Sequence, residues 1–91
     1  MLLDGRAPVT PRQLAVMWHV SEYTSGVGLP PSLDDVAEVM NVSAVRVRQH
    51  FINLRKKGYL TWSRYKQRTV KLVDVRLSCE DGFISMETCN G

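Results

Sequence analysis

A single residue, Val42, separates Asn41, a type that tolerates the left-handed conformation ending a helix, from Ser43, a type that starts one. The two helices on either side must therefore meet through a turn of about three or four residues. The upstream helix opens at Ser32-Leu33-Asp34-Asp35, a capping residue with an acid three positions later, and both aspartates sit where the helix dipole favours negative charge. It is short, with Leu33, Val36, Ala37 and Met40 on one face. The downstream helix runs from Ala44 to Lys57, points Val47, Phe51 and Leu54 inward, and finds its terminating residue in Gly58.

A further helix is announced by Thr10-Pro11-Arg12-Gln13, because threonine and glutamine can cap each other's backbone and proline at the first helical position has no amide to waste. It is expected from Pro11 to about Ser25, ending before the glycines and prolines of residues 26–31. Val16, Met17, Val20 and Tyr23 or Thr24 face the core, while Leu14 and Trp18 form a second apolar strip that needs a cover. After Gly58 the apolar period becomes two, over residues 59–63 and 69–73, with a basic tip at residues 64–68 between them. Three helices followed by an antiparallel wing hairpin make a mainly α fold with a small β-ribbon, a winged helix-turn-helix.

The domain is expected over residues 9–73, after a short N-terminal extension (1–8) and before a C-terminal tail (74–91). In the tail, Asp81-Gly82 between apolar stretches is a hairpin signal. The tail is expected to cover the Leu14 and Trp18 strip, on its own subunit or across a homodimer built from the tail and the first helix.

The net charge of +3 conceals an uneven distribution. Residues 46–71 hold nine basic side chains and no acidic one, whereas residues 1–45 and 72–91 are each net negative by three. Such a block attracts a polyanion strongly. Ninety-one residues are too few for a catalytic domain plus a regulatory one. No apolar run approaches the roughly 18 residues of a membrane-spanning helix, and the start of the chain lacks signal-peptide character. A cytoplasmic, nucleoid-associated protein is expected. Cys79 and Cys89 are expected as free thiols, since a small secreted domain would carry more cysteines. His19 and His50 lie at no metal-ligand spacing, and no nucleophile, phosphate-loop or paired-carboxylate motif is present, so neither enzyme activity, cofactor nor metal is expected.

Residues 9–13 (Val-Thr-Pro-Arg-Gln) and 29–32 (Leu-Pro-Pro-Ser), followed by Asp35-Val36-Ala37, resemble the N-terminal DNA-binding domain of LexA-type repressors. Val42-Ser43, Val47, His50-Phe51, Leu54 and Lys57-Gly58-Tyr59-Leu60 are similar to the recognition helix and wing start of that domain. The resemblance spans about residues 9–73 and implies a third helix in the major groove, a wing on the backbone and a two-fold operator. LexA repressors continue into a self-cleaving domain, so a small regulator of bacterial, phage or plasmid type without that protease is the expectation here.

The chemistry of the third helix agrees with a groove probe. Its first turn, from Ser43, exposes amides suited to phosphate, and Arg46, Arg48 and Gln49 can address base edges. Ala44 and Val45 are small enough for close approach and can touch a thymine methyl. Asn53, Arg55 and Lys56 are placed to meet backbone, and Arg64, Lys66 and Arg68, with Tyr65 and Gln67 on the wing, are expected to contact phosphates or reach the adjacent minor groove. His50 beside Phe51 requires only packing or one phosphate hydrogen bond. The alternatives are a winged-helix module that docks proteins, whose third helix would be acidic or apolar, and a DNA-binding replication or partition factor.

Overall fold

The computed structural model describes residues 7–88, with Cys89 and the first six residues of the N-terminal extension outside that range. Three helices, α1 (Pro11–Val27), α2 (Leu33–Met40) and α3 (Ala44–Lys57), precede the wing strands β1 (Leu60–Thr61) and β2 (Lys71–Leu72). A second hairpin follows, formed by β3 (Val75–Glu80) and β4 (Phe83–Thr88).

Each helix begins where side-chain oxygens can satisfy amides that have no partner in the first turn. The Gln13 amide donates to Thr10 Oγ1 and the Thr10 amide to Gln13 Oε1, both at 3.1 Å. The same reciprocal pair joins Ser32 and Asp35 at 3.0 and 3.1 Å. In α3 the Arg46 amide donates to Ser43 Oγ at 3.2 Å. The helices end on left-handed residues, Gly28 (φ 93°), Asn41 (φ 56°) and Gly58 (φ 87°).

Two differences from the sequence expectation have physical causes. Helix α1 continues through Gly26 to Val27, because one glycine costs a helix only about 1 kcal/mol, whereas the left-handed stop is supplied by Gly28, whose amide donates to the Thr24 carbonyl at 2.9 Å. The wing ladder is shorter than the apolar alternation suggests, pairing only Leu60 with Leu72 and Thr61 with Lys71. Beyond it, side chains take over the backbone groups. The Ser63 amide donates to Thr69 Oγ1 at 2.9 Å, and the Trp62 carbonyl accepts from Arg55 at 3.0 Å.

The core gathers Val16, Met17 and Val20 from α1, Val36 and Ala37 from α2, and Val47, Phe51 and Leu54 from α3. Tyr59, Leu60, Trp62 and Val70 close it from the wing side. Phe51 and Trp62 meet edge to face, with ring centroids 5.6 Å apart. Gln13 is buried, and its oxygen also accepts from Lys57 Nζ at 2.8 Å, while that ammonium donates to the Pro8 carbonyl at 2.8 Å. With the Tyr59 hydroxyl donating to the Ala7 carbonyl at 2.6 Å, the segment before α1 is tied to the end of α3.

The second hairpin turns at Asp81 (φ 52°) and Gly82 (φ 81°), two consecutive left-handed residues of the kind a two-residue turn between twisted strands requires. Its strands pack on α1 of the same chain, contributing Val75, Leu77 and Met86 to the margin of the core, and Leu14 and Trp18 on α1 are half-buried. Phe51 carries the ring contact by which α3 meets Trp62 of the wing in this core. Phe51→Ala should therefore destabilise the domain by about 3–5 kcal/mol, measured as a lower urea midpoint with little change in slope.

Candidate nucleic-acid interface

Burying Val47, Phe51 and Leu54 fixes the rotation of α3 and hence what its other faces present. Ser43, Val45, Arg46, Arg48 and Gln49 are exposed over its first two turns, Val45 to 74%. Ala44 is half-buried and, having only a methyl group, lets the backbone lie close to anything docked there. No acidic residue occupies the first turn, so the positive end of the α3 dipole is left uncompensated. Gln49 Nε2 donates to Asn53 Oδ1 at 3.3 Å, which orients the Gln49 amide from the half-buried Asn53 one turn behind it.

A cleft of about 340 Å³ separates the start of α2 and α3 from the wing. Ser32 and Asp34 line one side, with Ala44 at the start of α3, and residues 62–68 line the other side. Arg64, Tyr65 and Lys66 are exposed on that wing, Tyr65 to 88%. The cleft is thus bounded by a helix start and by cations from a loop, a combination suited to a phosphodiester strand.

The structure places the sequence-selected residues in two groups, of which Ala44, Arg64, Lys66 and Arg68 line this cleft, while Asn53 lies further along α3. Residues 43–49 form the helix group, and Arg64 with Lys66 the wing group. Arg68 sits at the base of the wing and turns toward the helices, its guanidinium 3.0 Å from Asp35 Oδ2 and donating at 3.2 Å to both the Tyr23 hydroxyl and the Pro30 carbonyl. It also lies 5.9 Å from the centre of the Tyr23 ring. This bonding to Tyr23, with the charge of Asp35, favours the charged guanidinium. Asp35 is held below the usual carboxylate range mainly by the Ser32 amide, which with Ser32 Oγ, Tyr23 and Arg68 outweighs the opposing cost of burial. Arg68 in the free protein therefore anchors the wing to the α1–α2 junction. Arg55, expected to face the backbone, lies 5.4 Å over the Trp62 ring and also holds the wing.

Neither latch carries a sequence signal, because Asp35 and Arg68 are far apart in the chain and each reads locally as an ordinary cap or loop residue. The same holds for Arg12, which the start of α1 brings close enough to His50 for the two charges to interact. His50 is half-buried on the flank of α3, and its Nε2 has no hydrogen-bond partner among the described residues.

A family model for the LexA DNA binding domain matches residues 6–69. The LexA repressor of Pseudothermotoga lettingae is 32% identical over 66 residues, covering 72% of this chain and 32% of that protein. The LexA repressor of Geobacter metallireducens is likewise 32% identical over 66 residues, covering 71% of this chain and 33% of that protein. The LexA repressor of Finegoldia magna is 24% identical over a longer stretch of 81 residues, or 88% of this chain and 39% of that one. The chain thus spans about a third of the length of the curated relatives it matches.

Partial burial, followed by the like charges of Arg46 and Arg12, holds His50 below its ordinary value of 6.5. The folded protein then binds this proton less readily than the unfolded chain does. Between the lowered folded value and 6.5 the unfolded state carries more protons, so stability rises with pH across that window. Urea melts should show the domain losing stability as pH falls through 6.5 and changing little above about pH 7. His50→Gln should flatten that dependence.

Proposed function

This chain belongs to the LexA DNA-binding domain family, and from that membership we propose that it is a sequence-specific, double-stranded DNA-binding regulator of repressor type. It reads the major groove with the start of α3 and holds the backbone with the wing. The observation that carries this reading is the exposure of Arg46, Arg48 and Gln49 on the first turns of a helix whose opposite face is locked into the core.

Each side chain has a role set by its chemistry. Arg46 and Arg48 donate paired hydrogen bonds to guanine O6 and N7, and Gln49, oriented by Asn53, addresses adenine. Val45 meets a thymine methyl, and Ala44 admits the helix to the groove. The Ser43 end of α3 faces a phosphate with its free amides. Arg64 and Lys66 contact the flanking backbone or the adjacent minor groove, on a wing held in place by the Arg68 and Arg55 anchors. All of these are binding interactions, and the role proposed is non-catalytic, without cofactor or metal. Among the described residues no helix is long and apolar enough to cross a membrane, and the proposed place of action is the nucleoid. A two-fold operator would be bound by a homodimer, one α3 in each half-site.

Affinity for a selected duplex, measured by fluorescence anisotropy against salt, should fall with a slope of about −0.9 per phosphate neutralised. Arg48→Ala should relax preference at one base position at a cost of about 1–3 kcal/mol. Lys66→Ala should weaken binding to all sequences alike and reduce the salt slope by about one. Absence of binding to any genomic fragment at low salt would transfer support to a protein-docking role.

A further inference from the structure

The β3–β4 hairpin leaves two strand edges with no further strand paired to them among the described residues. Its inner face is already committed to α1 of the same chain, so the Leu14 and Trp18 strip is not what remains for a second copy. What remains is an edge. We propose that two copies of this chain pair along the outer edge of β4, antiparallel about a two-fold axis at Ser85, joining two hairpins into one four-stranded sheet.

The choice of β4 follows from how proteins keep strand edges from pairing. They place lysine, proline, bulges or inward charges there, or keep the edge very short. Residues 83–88 contain no lysine, arginine or proline and one charged residue, Glu87, against two in β3, and the register with β3 runs without a bulge from Phe83 to Thr88. By contrast, β3 carries Arg76, and it is entered directly from the wing, the Val73 amide being bonded to the Tyr59 carbonyl at 2.9 Å. A six-residue antiparallel edge whose one charge lies near its end, and whose Ile84 and Met86 can exchange places across a two-fold axis, fits another copy of itself.

Register follows from the turn. A two-residue turn places Glu80 and Phe83 in a hydrogen-bonded pair, so Phe83, Ser85 and residue 87 direct their backbone groups to β3. The amides and carbonyls of Ile84 and Met86 consequently point to the free edge. A two-fold axis at Ser85 opposes Ile84 with the partner's Met86 and Met86 with the partner's Ile84, giving two hydrogen-bonded pairs. Both residues lie on the face turned toward α1 and both are half-buried, so the apolar face continues across the axis. A slip of one residue would place Ile84 opposite serine and break the apolar pairing on the inner face. Phe83, exposed to 76% on the outer face, then stands opposite Glu87 of the second copy at each end of the shared edge.

Six residues of shared edge are small beside the roughly 1,600 Å² of a standard interface. The free protein should therefore associate weakly and pair most completely on a two-fold operator. This surface deepens the homodimer part of the proposed function and is independent of the α3 contacts.

The test is disulfide trapping of the full chain in a Cys79→Ser, Cys89→Ser background, with and without duplex DNA. Ser85→Cys should form a covalent dimer rapidly under mild oxidation, because opposed residues at a non-hydrogen-bonded site lie about 4.5 Å apart between Cα atoms. Ser78→Cys, on β3, should not. Ile84→Pro, which removes one donor from the free edge and none from the hairpin, should shift sedimentation at high concentration from dimer to monomer while leaving binding to a single half-site unchanged. Trapping through Ser78→Cys instead of Ser85→Cys, or a dimer that persists in Ile84→Pro, would overturn the proposal. Loss of half-site binding in Arg48→Ala with Ser85→Cys trapping intact would separate the two readings.

Discussion

The contact on which the rest depends is Phe51 against Trp62, edge to face with 5.6 Å between ring centres. Phe51 belongs to the helix whose outer face carries Arg46, Arg48 and Gln49, and Trp62 to the start of the wing. Burying both rings in one core packs the helix and the wing against each other. Arg55 strengthens the junction from the surface by stacking on Trp62 and donating to its carbonyl. Arg68 fixes the returning side of the wing loop to Asp35, Tyr23 and Pro30. A loop whose charged residues are all basic, anchored at both ends, holds Arg64 and Lys66 beside the cleft that Ala44 of α3 also lines. Part of the basic block is thus spent on holding the wing, and only part faces outward.

The helices were legible because their signals are local. Thr10, Ser32 and Ser43 cap within three residues of themselves, and the buried positions Val47, Phe51 and Leu54 recur at the helical period. The exposed start of α3 was legible for the same reason, since fixing the buried face fixes the opposite one. The wing's apolar alternation indicated which side chains go inward, and Leu60, Trp62 and Val70 do so. Alternation says nothing of whether backbone groups meet a ladder or a side chain, and Thr69 and Arg55 decided that in favour of side chains. Arg68 was misleading in isolation, because a charged residue at a loop tip and one folded back on an aspartate have the same local sequence. Likewise the effect of Arg12 on His50 arises only when α1 is laid against α3.

Charge is organised in the same manner. The acidic groups at the start of α2 serve its dipole and hold Arg68, and the start of α3 is left without acids. The two adjoining helix starts therefore differ in electrostatic character although both begin with serine. One is neutralised for structure and the other is left positive, next to the cleft that the wing closes.

The central claim, that this cleft and the start of α3 receive duplex DNA, is tested most directly by following backbone amide resonances of the labelled protein as a short selected duplex is added. The largest shifts are predicted for residues 43–49 and 64–67, with saturation at a defined stoichiometry. Shifts confined to the face of α1 or the second hairpin, with residues 43–49 unmoved, would contradict the account.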